Sequence, residues 1–137
     1  MNDIVIKQVD KNNLYVEAKF ENRNYYCDYV ANENSNQVEV FQEVGAPIIK
    51  SFLQGYNCTV FSYGQTGSGK TYTMIGPTNS ILSESNNEKR GLIPRVMKGI
   101  FQEVNNLKKD KKLTSATIKC SCFEIYQETI IDLVNFK

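Results

Sequence analysis

Residues 59–76 read Thr59-Val60-Phe61-Ser62-Tyr63-Gly64-Gln65-Thr66-Gly67-Ser68-Gly69-Lys70-Thr71-Tyr72-Thr73-Met74-Ile75-Gly76. Within them, Gly64 to Thr71 matches the phosphate-loop pattern G-x-x-x-x-G-K-[ST] in full. The apolar and aromatic run Thr59–Tyr63 predicts a buried strand entering the loop, and nothing after Lys70 breaks a short helix before Gly76-Pro77. Gly64, Gly67 and Gly69 allow a tight turn that brings backbone N–H groups against phosphate oxygens with no Cβ in the way. A helix beginning near Lys70 aims further N–H groups and a partial positive charge at the same point. Lys70 supplies a mobile ammonium for the outer phosphates, and the Thr71 hydroxyl is suited to ligate Mg²⁺. The competing reading is a Gly/Ser-rich loop that only looks like this, and the order strand, loop, helix speaks against it.

Length and charge bound the rest. A chain of 137 residues is one domain at most, enough for a modest core but small for a complete phosphate-loop enzyme. Sixteen Lys+Arg against fifteen Asp+Glu leave a formal charge of +1, so no global basic field argues for nucleic acid. No apolar run approaches membrane-spanning length and no signal-peptide pattern opens the chain, so the expected setting is the cytosol or nucleus, without a membrane partner. With no histidine and no C-x-x-C, a zinc site would need an unusual ligand set. Cys120 and Cys122 share one face of an expected strand, a poor geometry for a disulfide. Cys27, Cys58, Cys120 and Cys122 are therefore expected to be buried, reduced thiols.

Around the loop, alternating Leu14, Val16, Ala18 and Phe20, a turn at Glu21–Asn24 and renewed extension at Tyr25–Cys27 predict a hairpin within a β-rich segment 4–30. Asn36 with Glu39 three residues on predicts a capping box. The helix it opens is expected from about Gln37 to Gln54, with the stripe Val40, Phe41, Val44, Ile48, Phe52 and Leu53, a kink at Pro47 and Gly55 as C-cap. Pro77–Arg90, rich in Asn, Ser and Glu, reads as a surface loop. A second helix starts near Ile93-Pro94 with the stripe Ile93, Val96, Met97, Ile100, Phe101, Val104 and Leu107, and ends in the basic cluster Lys108–Lys112, read as a solvated terminus rather than a docking patch. Ala116–Tyr126 predicts a long strand and Thr129–Val134 a shorter one, giving a mixed α/β order.

The flanks of the loop carry a family resemblance. Gly55-Tyr56-Asn57-Cys58-Thr59 running into Gly64-Gln65-Thr66-Gly67-Ser68-Gly69-Lys70-Thr71-Tyr72-Thr73-Met74 closely resembles the kinesin motor signature. Tyr26-Cys27-Asp28-Tyr29-Val30, Arg90-Gly91-Leu92-Ile93-Pro94-Arg95 and Phe123-Glu124-Ile125-Tyr126-Gln127-Glu128 with Ile131-Asp132-Leu133-Val134 resemble three further kinesin segments, in the family's order. The Gly-Tyr-Asn-Cys-Thr wording and Lys119-Cys120-Ser121 are similar to the kinesin-12 and kinesin-5 groups.

The resemblance implies an α/β phosphate-loop NTPase head with three layers, a mixed, mostly parallel central sheet between helices, present here in part over residues 1–137. It implies ATP or ADP and Mg²⁺ as cofactors, with Gly64, Gln65, Thr66, Gly67, Ser68, Gly69, Lys70 and Thr71 around the phosphates, Thr71 at the metal and Tyr72 against adenine. It implies microtubules, hence tubulin, as partner, a place on the cytoskeleton or spindle, and a parent protein that is a coiled-coil dimer or higher oligomer. The implied activity is ATP hydrolysis coupled to movement along microtubules.

The family's adenine-packing R-x-R-P and its two switch motifs have no counterpart in these residues. The segment is thus expected to bind nucleotide at best weakly, to hold no catalytic residue of its own, and to expose sheet edges and apolar faces. Ile130-Ile131-Asp132 offers a weak substitute for a Mg²⁺-binding strand, against which a strand-end aspartate is commonplace. Two other readings compete: a myosin-like or nucleoside-kinase head, and a non-catalytic kinesin-like docking module.

Overall fold

The computed structural model describes residues 5–18, 20–78 and 88–135, which form two compact units, Met1–Gln102 and Glu103–Lys137. The first opens with an antiparallel sheet of three strands in the order β1 (Val5–Gln8), β2 (Asn13–Glu17) and β3 (Asn22–Tyr26). The β1–β2 turn is closed by Asp10, whose carboxylate accepts from Asn12 N (2.7 Å) and Asn13 Nδ2 (2.9 Å). The Asn13 side chain, with Asn12 N–H behind it, holds Asp10 below the ordinary carboxylate pKa. The β2–β3 hairpin is the expected one, but its turn comes earlier. Asn22 already pairs with Glu17 and its side chain accepts from Ala18 N (3.3 Å), so Asn22–Asn24 belong to the strand.

A capping box starts the helical segment as expected. Asn36 Oδ1 accepts from Val38 N (2.9 Å) and Glu39 N (3.0 Å), while Glu39 reaches back to Asn36 N (3.3 Å). The segment then runs as α1 (Gln37–Val40), a π-helical turn (Phe41–Gly45) and α2 (Ala46–Leu53). The irregularity falls before Pro47 rather than at it. The wider turn, closed by Ala46 N–H on Phe41 O, puts Pro47 in the first turn of α2, where its missing N–H is not needed. Gly55 (φ 92) ends α2 as expected, with Gly55 N on Phe52 O (2.9 Å) and Tyr56 N on Ser51 O (3.2 Å).

The helix faces depart from the expected stripes. Ile49 (8% exposed) is buried, whereas Phe52 (49%) and Leu53 (38%) face solvent. Ile49 meets the next long helix, α4 (Leu92–Lys109), at Gly99, where a Cβ would sit 2.5 Å from Ile49 Cδ1. The missing side chain at Gly99 is what lets the two helices close on each other. In α4, Leu92 (5%) is buried and Ile93 (47%) is not. An apolar cavity of about 180 Å³ lies beside this contact, lined among others by Val44, Ile48, Val60, Met74, Leu92 and Val96.

The expected strand at Thr59–Tyr63 does not form, and of the one expected over Ala116–Tyr126 the last four residues, Phe123–Tyr126, do. Residues 59–63 and 115–121 lie outside the sheets of the described residues, and an extended chain becomes sheet only through a partner. Residues 60–64 keep the strand's two-residue alternation, with Phe61 (82%) and Tyr63 (93%) outward and Val60, Ser62 and Gly64 shielded. The described sheets are therefore antiparallel throughout. All four cysteines are unpaired, as expected, but exposed rather than buried, for the same lack of a covering layer.

The second unit contains the end of α4 and a hairpin of β4 (Phe123–Tyr126) with β5 (Thr129–Asp132), joined by Gln127 (φ 48) and Glu128 (φ 61) in the paired left-handed geometry of a two-residue turn. Leu133 N extends the ladder to Cys122 O (2.8 Å). Asp132 is occupied locally, accepting from Val134 N (2.9 Å), Asn135 N (3.1 Å) and Asn135 Nδ2 (3.1 Å). These bonds, the Val134 one foremost, lower its pKa, and they make it a turn cap rather than a metal ligand.

The last turn of α4 closes with Lys111 N on Lys108 O (3.1 Å) and Lys112 N on Leu107 O (2.9 Å), and Lys111 takes φ 56. Glycine is the residue without a side-chain penalty in this conformation. Lys111→Gly should therefore raise stability by about 0.5–1 kcal/mol, read as a higher urea midpoint at unchanged slope.

Candidate functional site

The phosphate-loop candidates lie together in the first unit, between the extended run 59–63 and a short helix, α3 (Lys70–Met74). The loop turns through Gly64 (φ 153), Gly67 (φ 81) and Gly69 (φ 90), the last serving as N-cap of α3. A Cβ on Gly64 would lie 2.5 Å from Ser68 Oγ, so the loop closes on itself only with glycine there. Ser68 N donates to Gln65 O (3.2 Å), and Thr73 N to Gly69 O (2.8 Å) as the first bond of the helix.

Lys70 is folded back over the loop. Its Nζ donates to Gly64 O (2.8 Å) and Gln65 O (2.7 Å), which holds the ammonium at the mouth of the turn with a third hydrogen unspent on these carbonyls. Gln65, Thr66, Gly67 and Ser68 are exposed around it. Thr71 and Tyr72 (51% exposed) follow on the open first turn of α3. The structure thus groups Gly64 through Thr71 about one cation and leaves Tyr72 about half exposed to solvent. A loop shaped by positive-φ glycines and closed around an ammonium fits a phosphate chain, and the adjacent Thr71 hydroxyl fits a hard cation such as Mg²⁺.

At its far end α3 is held by the start of α4, where Gly91 N donates to Ile75 O (2.9 Å). Arg95 secures that entry, its Nε donating to Arg90 O (2.8 Å) and Nη2 to Glu88 O (2.8 Å). Partial burial, then the nearby Arg90 charge, lowers the Arg95 pKa. The ends of the expected surface loop are thereby brought together, while residues 79–87 lie outside the described residues.

One residue of this site escaped the sequence reading. Gln37 (6% exposed) is the buried polar side chain of the described residues, and its Nε2 donates to Tyr72 O (2.6 Å). The available signal was positional: Gln37 stands four, seven and eleven residues before Phe41, Val44 and Ile48, on their face of the helix.

Comparison with known proteins places the chain. Residues 2–137 match the kinesin motor domain family. Kinesin-like protein KIN-12A of Arabidopsis thaliana is 40% identical over 136 residues, which are 97% of this chain and 10% of that protein. Kinesin-like protein KIF15-A of Xenopus laevis is 42% identical over 123 residues, 89% of this chain and 9% of that protein. The solved structure of a fast kinesin, described for its ATPase mechanism and its interactions with microtubules, superposes with a TM-score of 0.78 at 31% identity, covering 97% of this chain and 35% of that one. The chain belongs to the kinesin motor domain family, whose members bind nucleotide. It spans about a tenth of the length of the curated relatives it matches. The myosin-like and nucleoside-kinase readings fall away, and no described helix is long and apolar enough to cross a membrane.

The loop conformation itself is testable. At Gly69 (φ 90) an added Cβ meets nothing within 4 Å, so a substitution there is penalised through the backbone alone. Gly69→Ala should cost about 1–2 kcal/mol in opening of the helix start, seen as faster amide exchange at Thr73.

Proposed function

We propose that this chain is the nucleotide-binding part of a microtubule motor, taking Mg·ATP and Mg·ADP at Gly64–Thr71 and serving a parent protein that couples ATP hydrolysis to movement along microtubules. The observation that carries the reading is the glycine-shaped loop closed over the Lys70 ammonium, in a chain of the kinesin motor family. Phosphate oxygens would replace the carbonyls of Gly64 and Gln65 as partners of Nζ, exchanging neutral acceptors for charged ones and so strengthening each bond. Thr71 would hold the Mg²⁺ that offsets phosphate charge. Tyr72, exposed at the head of α3, would gain a partner when adenine stacks on its ring. The fast kinesin it resembles, described for interactions with microtubules, supports tubulin as the partner of the whole motor and the cytoskeleton as its place.

Calorimetry on the full chain tests the nucleotide step. Mg·ADP and Mg·ATP should bind, and Lys70→Ala should weaken that binding by at least about tenfold, the scale of one charge-assisted bond to phosphate. Equal binding by the two proteins, both shown to be folded, would remove the phosphate loop from the reading.

A further inference from the structure

We infer that Gln37 is a positioning residue for the nucleotide site, acting through the main chain of Tyr72. This rests on the reading of residues 64–72 as that site. The geometry begins with a backbone deficit in α3. In a regular helix the Tyr72 carbonyl would accept from Gly76 N. Here Gly76 N (3.3 Å) and Ile75 N (2.8 Å) both converge on Thr71 O, so the helix supplies Tyr72 O with no amide. Gln37 fills that vacant acceptor at 2.6 Å, across 35 residues of sequence.

The donor is held as firmly as the acceptor is needed. Gln37 is the first residue of α1, directly after the N-cap Asn36 and inside the Asn36–Glu39 capping box, so its backbone is anchored where its side chain leaves it. At 6% exposure the amide has little water to turn to, and among the described residues no buried side-chain nitrogen or oxygen lacks a partner. The bond thus ties a capped helix to the residue that follows Lys70 and Thr71. It sets where α3 lies against α1, and with it the side chains of Lys70, Thr71 and Tyr72. Gly91 N braces the other end of α3 through Ile75 O, and Arg95 holds the nearby carbonyls of Arg90 and Glu88, whereas Gln37 reaches a carbonyl of the segment that bears the nucleotide-facing residues.

The test compares Gln37→Ala with Gln37→Glu in the full chain. Loss of one buried bond to a carbonyl should weaken Mg·ADP binding roughly fivefold in Gln37→Ala and speed amide exchange at Ile75 and Gly76 by a similar factor. A glutamate of the same length has no donor when ionised and one when protonated. Burial raises its pKa above the ordinary value of about 4.3, so the donor appears as pH falls. Relative to Gln37→Ala, Gln37→Glu should therefore regain affinity and α3 protection as pH drops from about 8 towards 5.5, a profile that simple loss of packing does not produce.

If both variants fold, bind as the parent does and keep α3 protected, the inference is wrong while the nucleotide reading stands. A flat ratio between the two variants across pH also overturns it. If the parent chain itself binds no nucleotide, the nucleotide reading fails instead, and the exchange at Ile75 and Gly76 still decides whether Gln37 holds the helix.

Discussion

A helix of five residues does not stand alone. Forming its first turn fixes several dihedral angles for a single bond, and Lys70–Met74 has little length over which to recover that cost. The segment persists because its backbone is completed from outside: by Gly69 at the start, by the Gln37 amide at Tyr72, and by Gly91 at Ile75. Each closure comes from a different part of the chain. The position of the Lys70 ammonium, and whatever chemistry it serves, is inherited from these contacts more than from the helix itself.

The contacts impose their own demands on packing. Gln37 reaches Tyr72 only if the capped helix stays against α3, and that helix is fixed in turn where Ile49 meets Gly99. The π-helical turn at Phe41–Gly45 belongs to this chain of constraints, since it places Pro47 in the first turn of α2. The apolar cavity beside Val60 and Met74 shows where this packing is incomplete. Large apolar residues such as Phe61 and Tyr63 stay in water, and the solved head that the chain matches is nearly three times the size of the part it covers.

The local punctuation of the fold could be read from residue types because its physics spans only a few residues. Asn36 with Glu39 makes a capping box, Gly55 ends a helix in the left-handed region, and a run of glycines shapes the loop before Lys70. These depend on dihedral preference and on donors within one turn. The hairpin at residues 13–26 was equally legible, though Asn22 moved its turn by binding Ala18 from the side chain. Family membership came through the same stretch, because the wording around the loop is specific.

What the sequence alone determined, then, was the set of local conformations and the cluster Gly64–Thr71, each set by neighbours in the chain. The tertiary structure decided which extended runs became sheet, which helix face was buried, and where the orphaned Tyr72 carbonyl found its donor. Residues 59–63 carry every strand preference and yet lie outside the sheets of the described residues, since a ladder needs a second strand that composition cannot promise. Ile49 rather than Phe52 went inside because the partner helix offers a glycine at that point. Gln37 gained its role from a residue 35 positions away, a distance over which only the folded backbone can place a donor against an acceptor.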